Sequence, residues 1–452
     1  MSGPRERARS FLRRNGMDPE EFDLQQGLEE YLQEMRRGLA GEGGSLEMIP
    51  TYIELASSVP LGEPVIAVDA GGTNLRIALV RFDRDLKPVI ENYRKVLMPG
   101  VERQVSRAEF FRAFAGHLRE YLPASSRLGF CFSFSMEQLP NKDGRVNNLG
   151  KEVKAPEVLG ALVGENLAAA LREAGHRGPM KIVIVNDTVT AMLAGMAVSA
   201  GRGYGGYLGF ILGTGTNTCY LEANRNITKV RGLEPAGLQV INTESGNYNR
   251  VPQGTVDRDF NAGTAYPEQH LLEKQVSGAY LGPVALATLQ RAAREGIFSP
   301  AAAEGLQALR ELGTQALHEY LSAPALSTHP LGAAVQRGSR EDRQILYHLL
   351  DRLSERAAKL AALTLSAAVL KSGAGEDPCA PACAVVEGSV YWGLKGMRRK
   401  LDCYLKGFLE ESHGRHLELV QVENASLLGA AIAGLTNRKL AGRLFPSEPV
   451  ML

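Results

Sequence analysis

Two segments of the chain share one layout, in which an apolar β-rich run, a short turn containing glycine and a second β-rich run follow one another. The first reads VIAVDAGGTNLRIALVRFD from residue 65, and the second reads YLGFILGTGTNTCYLE from residue 207. Apolar runs of this kind on either side of a glycine turn are typical of a β-hairpin. Two such hairpins in one chain predict two similar α/β folds that face each other across a cleft.

The length of the chain supports the same division. A chain of 452 residues exceeds what one hydrophobic core usually supports, so two domains are expected. We predict a helical N-terminal extension over residues 1–60 that packs on the large domain. A small α/β domain is predicted over 61–186, joined by a C-terminal helix over 436–452, and a large α/β domain over 187–435.

Composition excludes several classes of partner and site. Lysine and arginine number 51 against 50 acids, so the chain has no overall field to attract nucleic acid or an anionic membrane. The five cysteines lack paired spacing, which argues against a disulfide framework and a structural zinc site. No stretch approaches the ~20 apolar residues of a membrane span. We therefore expect a cytoplasmic protein that holds its anionic ligands locally.

Periodicity predicts the remaining elements. Apolar residues at helical spacing favour helices near 107–121, 156–174 and through most of 284–372. A polar loop is expected over 137–155, between the strand RLGFCFSFS and the helix that starts near 156. The strand KIVIVND leads to a helix at TVTAMLAGMAVS. Two further strands are predicted, ACAVVEGSVYW before another helix and LELVQVEN before the terminal helix SLLGAAIAGLTNRKL.

The glycine turns have a composition that suits phosphate. Backbone N–H groups in a glycine-rich turn complement negative charge without bulk. In the first turn Asp69 ends a strand, where it could reach a hydrated Mg²⁺. Either turn alone could be an ordinary hairpin tip, but two of them between apolar strands favour phosphate binding.

The segment VNDT places Asn186 and Asp187 where an apolar strand meets a helix. Loops at such positions in α/β folds usually expose ligand-binding groups. Asp187 could be only a helix cap, because a helical pattern begins there. It could also be the general base that takes a proton from an alcohol, since an ionised carboxylate suits that task at neutral pH.

With these motifs, the chain resembles hexokinases of the eukaryotic type. The matching segments occur in the family's order: LEMIPTYIELAS with PVIAVDAGGTNLRIALV, LGFCFSFSMEQ, VNDTVTAMLAG, GFILGTGTNTCYLE, INTESGNY, LLEKQVSGAYLG, VVEGSVYW and VENASLLGAAIAG. The resemblance covers about residues 20 to 435 and is weakest between 290 and 375. It implies two actin-like, ribonuclease H-like α/β domains and ATP-dependent phosphorylation of a hexose at its 6-hydroxyl, the first step of glycolysis.

The resemblance also implies roles for individual residues. The sugar, glucose or another hexose, would be held by Ser133, Lys151, Asn186, Asp187, Asn217, Glu244 and Glu273. Asp187 would be the base, and Lys151 would steady the sugar or the transferred phosphoryl group. ATP phosphates would lie against Gly71, Gly72, Thr73, Asn74, Gly213, Thr214 and Gly215. Adenosine would lie against Gly388, Ser389 and Ser426, and Asp69 would hold Mg²⁺ through water.

Taken singly, several of these residues have ordinary explanations. Glu244 and Glu273 could be solvated surface acids, and Lys151 a surface lysine. Gly388 and Ser389 could form a plain strand-to-helix turn with a serine cap. The matching context is what favours the functional interpretation of each.

Four positions depart from the common family form. They are Ser135 where the family usually has proline, Gly150 where it has threonine, Ser245 where it has a bulky residue, and His270 where it often has glutamine. A pocket that lacks a polar partner discriminates less among sugars, so a broader hexose specificity is conceivable.

Two other classes of function share parts of this pattern. A catalytically weak sugar sensor would keep the fold and the closure, and an actin-like chaperone or filament ATPase would keep the two phosphate hairpins. The second has no use for Asp187, Ser133, Glu244 and Glu273 together. A monomer and a homodimer are both compatible with the sequence.

Overall fold

A computed structural model describes residues 3–53, 59–150, 153–198 and 202–437. The helices are α1 (Pro4–Arg14), α2 (Leu24–Ala40), α3 (Arg107–Leu118), α4 (Val163–Glu173), α5 (Asp187–Val198), α6 (Thr255–Ala262), α7 (Leu271–Val276), α8 (Leu281–Arg294), α9 (Pro300–Ala308), α10 (Thr314–Ser322), α11 (Pro330–Ala334), α12 (Arg340–Ser372), α13 (Ser389–Gly393), α14 (Met397–Tyr404) and α15 (Ala425–Thr436). Short 3₁₀ turns cover Pro19–Glu21, Pro156–Val158, Asn224–Asn226 and Ser245–Asn247, and a π-helix covers Leu405–Ser412.

The strands form two large sheets and one small one. They are β1 (Ile49–Pro50), β2 (Val65–Gly71), β3 (Asn74–Phe82), β4 (Pro88–Leu97), β5 (Arg127–Phe132), β6 (Met136–Gln138), β7 (Gly144–Val146), β8 (Lys181–Val185), β9 (Gly206–Leu212), β10 (Thr216–Ala223), β11 (Leu238–Asn242), β12 (Ala382–Glu387) and β13 (Leu417–Val420). One sheet has the order β4-β3-β2-β5-β8, and the other has the order β1-β11-β10-β9-β12-β13. Each therefore combines an antiparallel hairpin with parallel strands.

Both predicted hairpins are confirmed. β2 and β3 pair antiparallel with Gly71 opposite Asn74, so Gly72 and Thr73 form the tip. β9 and β10 pair with Leu212 opposite Thr216. The sequence pattern identified these turns because glycine and threonine stand between two β-rich apolar runs, and the chain reverses there.

Other predicted elements differ at their ends. The expected helix over 156–174 begins only at Val163, because a 3₁₀ turn at Pro156–Val158 precedes it. The expected polar loop over 137–155 contains the two-stranded sheet β6-β7. Its strands are only three residues long, which is too short to give a periodic signal. The helical part of the N-terminal extension ends at Ala40, since Gly41 adopts a left-handed conformation there with φ of 72°.

The core has three parts. One cluster of buried side chains lies in the large domain and includes α1, α2 and the 33-residue α12, and a second lies on the α3 and α4 side of the five-stranded sheet. A third lies between the two large sheets, where α5 and α15 pack against each other and against strands of both. The two lobes therefore share apolar packing at their base.

The last described helix bears on the predicted domain boundaries. α15, which was assigned to the large domain, lies against β2 and β5 of the small-domain sheet. Gly129 of β5 and Ala430 of α15 approach so closely that a Cβ at residue 129 would lie 1.7 Å from the Ala430 carbonyl oxygen. Residues 438–452 of the predicted C-terminal helix lie outside the described residues, so the boundaries stay a prediction.

Candidate active site

Asp187 is the first residue of α5, directly after β8. Its Oδ1 accepts hydrogen bonds from the backbone N of Thr188 at 2.7 Å and from the Thr188 hydroxyl at 3.2 Å. A side-chain hydrogen bond with Asn186 also favours the ionised carboxylate, and the side chain is partly exposed. Asn186 Oδ1 accepts from the same Thr188 N at 2.9 Å, so the amide of Asn186 lies in the capping position and Asp187 is the first residue of the helix.

The surroundings of Asp187 favour its neutral form. Burial raises its pKa to about 6, and the negative charge of Asp69 adds to the rise. Hydrogen bonds from Thr188 act in the opposite direction. A carboxylate with this pKa is mostly ionised at pH 7 and is a stronger base than an ordinary aspartate.

Asp69 lies near the end of β2, and 5% of its surface is exposed. Arg76 Nη1 donates to its Oδ2 at 2.7 Å, and burial raises the pKa of Asp69 against the effect of that guanidinium. Ser133 begins the loop after the neighbouring strand β5, and its N donates to the Ala70 carbonyl at 3.0 Å. The fold therefore sets Ser133 beside the first glycine turn, where a Cβ at Gly71 would lie 3.1 Å from Ser133 Oγ.

The amide and carboxylate side chains of the large-domain sheet form a hydrogen-bonded group. Asn217 Nδ2 donates to Asn242 Oδ1 at 2.8 Å and to Glu244 Oε1 at 3.3 Å. Asn242 Nδ2 donates to the same Glu244 oxygen at 2.8 Å. Glu244 is held at the end of β11 in a left-handed conformation with φ of 53°. Two amides therefore orient one carboxylate toward the cleft.

Glu273 joins this group from α7. Its Oε2 accepts from the Thr216 backbone N at 3.1 Å, and its charge adds to the raised pKa of Glu244, which is about 7. Burial raises the pKa of Glu273 as well. A cavity of about 10 Å³ adjoins Asn242 and Glu244, and its other lining residues are Ile49, Thr51, Met136, Gln138 and Asn186. That is about the room of one water molecule.

The second glycine turn packs closely against the end of β12. Gly213 O accepts from Gly278 N at 2.7 Å, and Thr214 O accepts from Ala279 N at 3.1 Å. Gly388 has a φ of 120°, and a Cβ there would lie 2.3 Å from the Leu212 carbonyl. The backbone around the turn is thus compact, and Gly388 and Ser389 stand beside it, while their contact with adenosine stays a prediction.

The first turn leaves space for a ligand. A Cβ at Gly72, whose φ is 57°, would meet no heavy atom within 4 Å, and Thr73 is exposed. Such a tip fits a phosphate chain held by backbone N–H groups. Ser426 lies in the first turn of α15. No group of three or more histidine, cysteine or carboxylate side chains could hold a metal in the described ranges, so Mg²⁺ would depend on Asp69, water and the phosphates.

The positions that depart from the family form lie outside the regular strands and α-helices. Ser245 is fully buried and its N donates to Asn217 Oδ1 at 3.3 Å. His270 has a φ of 56° directly before α7, and burial lowers its pKa. Ser135 accepts from the N of Asn147 at 2.9 Å. Lys151, predicted to contact the sugar, lies outside the described residues.

Sequence reasoning missed four polar groups of the site. Asn242 and Arg76 stand inside quoted motifs, and their contacts with Glu244 and Asp69 depend on strand pairing. Glu387, at the end of β12, has its pKa raised to about 7 by burial and by the charges of Asp69 and Asp187. Glu47 precedes β1 in the quoted segment LEMIPTYIELAS, and the pairing of Ile49 with Asn242 brings it to the site.

Within the described ranges, no helix is long and apolar enough to cross a membrane.

Comparisons with known proteins identify the family. A family model described as hexokinase matches residues 11–197, and a second with the same description matches residues 207–436. The "Hexokinase-like 1 protein" of Arabidopsis thaliana is 27% identical over 441 residues, covering 89% of this chain and 86% of its own length. The "Glucokinase" of Aspergillus niger is 27% identical over 407 residues, covering 78% and 81%.

The solved structure of hexokinase from Schistosoma mansoni, complexed with glucose, superposes with a TM-score of 0.76 at 22% identity. It covers 96% of this chain and 100% of that chain. This likeness shows the fold, so the two α/β domains with their N-terminal helices have the actin-like ATPase fold predicted from sequence. Together with the two family models, it leads to one conclusion: the chain belongs to the hexokinase family.

Proposed function

We propose that this chain transfers the γ-phosphoryl group of ATP to the 6-hydroxyl of a hexose, glucose being the first candidate. Membership of the hexokinase family makes a sugar kinase the appropriate class. The observation that carries the proposal is the Asp187 carboxylate at the start of α5, whose Oδ1 is fixed by Thr188 and whose pKa burial raises to about 6. Because the amide of Asn186 lies in the capping position, Asp187 is not needed as the cap, which supports its role as base.

In the proposed mechanism, the sugar lies against Asn217, Glu244 and Glu273, with Ser133, Asn186 and Lys151 contributing from the other lobe. Asp187 Oδ2 accepts the proton of the 6-hydroxyl while that oxygen forms a bond to the γ-phosphorus, and the bond from phosphorus to the bridging oxygen breaks to release ADP. The oxygen attacks in line because the amides and carboxylates hold the ring in one orientation.

The nucleotide would be held by the two glycine turns. Backbone N–H groups of Gly71, Gly72, Thr73 and Asn74, and of Gly213, Thr214 and Gly215, would complement the phosphates, with Gly388, Ser389 and Ser426 toward adenosine. Mg²⁺, bound through water to Asp69, would reduce the negative charge of the phosphates when present. A cytoplasmic role at the start of glycolysis would follow from this activity.

The test is ADP release with glucose, mannose, fructose and N-acetylglucosamine. We expect sugar-dependent turnover that falls by about 10²- to 10⁴-fold in Asp187→Ala, while glucose binding measured by calorimetry is largely retained. Unchanged turnover in this variant would refute the base. Sugar binding without any ATP consumption by the unmodified protein would point to a sensor instead.

A further inference from the structure

The turn that follows β11 connects Glu244 and Glu273, the two carboxylates of the proposed sugar site. Glu244 stands at its start, and further along the Tyr248 carbonyl accepts from the N of Leu272 at 3.1 Å. Leu272 directly precedes Glu273 in α7. A Cβ at Gly246 would lie 3.2 Å from the Cβ of Glu273, so the turn packs closely on that side chain. The position of this turn therefore affects both carboxylates.

Helix α2 of the N-terminal extension packs against the turn through an aromatic pair. The ring centroids of Tyr31 and Tyr248 are 4.6 Å apart, the rings are tilted by 49°, and each residue is 1% exposed. The Tyr31 hydroxyl lies near the side chains of Thr243 and Ser245, on either side of Glu244, but has no hydrogen-bond partner among the described residues. The contact between the rings therefore joins helix and turn here.

Glu34, three residues further along α2, is a buried carboxylate that contacts two neighbouring segments. Its Oε2 accepts from the N and the hydroxyl of Ser45 at 2.9 and 3.0 Å, and its Oε1 accepts from Arg37 Nη1 at 2.9 Å. The Nε of Arg250, two residues after Tyr248, lies 3.2 Å from the same Oε1. Glu34 thus joins α2 to the loop after it and to the end of the turn.

The ionised form of Glu34 is the one that these contacts stabilise. Burial by itself would raise the pKa of Glu34, but the hydrogen bonds from Ser45 and the charges of Arg250 and Arg37 lower it. Only 2% of the side chain is exposed, and a carboxylate buried to this extent depends on such partners. Loss of the carboxylate should therefore release the loop and the turn from α2.

The loop after α2 holds the turn at two further points. Ser45 lies two residues before Glu47, whose Oε1 accepts from Asn247 Nδ2 at 3.0 Å. The N of Met48 donates to the Thr243 carbonyl at 3.3 Å. The N-terminal extension therefore contacts the turn before and after its first carboxylate.

We propose that Tyr31 and Glu34 are positioning residues, through which α2 holds the turn after β11 so that Glu244 and Glu273 are aimed at the sugar. A binding group must be held within about 0.5 Å of its productive geometry, and packing and hydrogen bonds behind it provide that precision. The inference rests on the proposed function, because it concerns the same sugar site. Asp187 lies on α5, outside these contacts, so we expect the affinity for sugar to change more than the turnover.

The first test breaks one contact from both sides, in Glu34→Ala and Arg250→Ala. We expect Kd and KM for glucose to rise about tenfold in Glu34→Ala, with kcat changed by less than about twofold. Arg250→Ala should raise both constants by a smaller factor, because Ser45 and Arg37 still hold Glu34. Glu29→Gln, exposed on the same helix, should leave Kd, KM and kcat unchanged.

The aromatic contact has a matched pair of variants of its own. Tyr31→Phe keeps the ring and loses only a hydroxyl without a partner, so glucose affinity should be retained. Tyr31→Leu removes the ring contact with Tyr248 and should raise Kd for glucose several-fold, about as Arg250→Ala does. Equal Kd values in the two Tyr31 variants would contradict a role for the ring.

The pattern of constants separates positioning from a general loss of folded protein. Fewer folded molecules lower the apparent kcat and the number of binding sites but leave Kd unchanged, so that result would overturn the proposal. If Glu34→Ala does not fold, Arg250→Ala decides, because its side chain is 44% exposed and an unchanged Kd there would also overturn it. In a double-mutant cycle, Glu34→Ala should weaken binding much less when Glu244→Gln is already present. Additive losses would mean that Glu34 does not act through Glu244.

Calorimetry with glucose and no ATP separates the two levels of inference. If the unmodified protein binds glucose and releases no ADP, but Glu34→Ala and Arg250→Ala weaken binding as expected, the proposed function fails and the positioning role stands. If sugar-dependent ADP release is found while every variant keeps the same Kd, the proposed function stands and the positioning role fails.

Discussion

At the scale of single residues, Asn186 and Asp187 make different contacts at the start of α5. Asn186 Oδ1 accepts from the N of Thr188, two residues on, and Asp187 Oδ1 accepts from the N and the hydroxyl of Thr188. The sequence left the cap and the base as alternatives for Asp187, since one motif serves both. Because Asn186 lies in the capping position, the structure supports the base, which stays a prediction. The titration of single carboxylates also determines how the site responds to pH.

The pH dependence of kcat/KM should show two carboxylates that must be ionised. Glu244, with a pKa of about 7, and Asp187, with a pKa of about 6, are both raised, so protonation begins as pH falls below 7. We expect log kcat/KM to fall with a slope of about one below pH 7 and to steepen below pH 6. Initial rates from pH 5 to 8 test this, and Glu244→Gln should remove the upper step. A flat profile across that range is the contrary result.

The stability of the protein should improve when Asp187 loses its charge. Its folded pKa lies above the unfolded value of 3.8, so the ionised form opposes folding as pH rises from 4 through 6. Asp187→Asn should therefore raise the free energy of unfolding at pH 7 by at most about 3 kcal/mol, and with it the unfolding temperature. At pH 4 the variant and the unmodified protein should differ little. Thermal melts at both pH values measure it. A difference that does not change with pH would contradict the explanation.

At the scale of elements, the sequence pattern predicted those strands and turns that depend only on residues close together in the chain. The hairpins of β2-β3 and β9-β10 were recognised because each turn stands between apolar runs. The pair β6-β7 was missed because three-residue strands have no periodicity, and the roles of Glu47 and Asn242 were missed because they depend on pairing between β1 and β11, nearly 200 residues apart. The sequence thus predicts the elements and motifs of this site better than the contacts between motifs that are distant in the chain.

The contact between α15 and β5 gives an element-scale prediction. Gly129→Ala places a Cβ 1.7 Å from the carbonyl oxygen of Ala430, so helix and strand must separate. We expect a loss of about 3 kcal/mol or more in unfolding free energy. Gly116→Ala, in α3 with no heavy atom within 4 Å of its Cβ, should stabilise by about 0.5–1 kcal/mol. Denaturant unfolding of both variants measures these changes in unfolding free energy. Equal changes in the two variants would mean that the close approach of α15 and β5 is not maintained in solution.

At the scale of the whole molecule, the site is divided between two lobes. Asp69 lies on one sheet and Ser133 directly follows its strand β5, whereas Asn217 lies on the other sheet and Glu244 follows its strand β11. We therefore expect a sugar to enter an open arrangement of the lobes and to be enclosed afterwards. Enclosure would also exclude water, which could otherwise accept the phosphoryl group.

Closure on the sugar can be measured in solution. We expect the radius of gyration from X-ray scattering to fall when D-glucose is added, because binding favours the arrangement in which both lobes touch the ligand. L-Glucose, with the same composition and the opposite hand, should have no effect. An unchanged radius at saturating D-glucose, with binding shown by calorimetry, would mean that the lobes are already closed.

The packing of α5 and α15 between the two sheets has a consequence for dissecting the gene. A fragment that stops at residue 186 would lack both helices, and the apolar face of its sheet, including Val65, Ala67 and Val185, would meet water. Such a face promotes aggregation. The small lobe thus depends for its folding on helices outside it. An excised small lobe should become soluble only when a peptide carrying residues 425–436 is added.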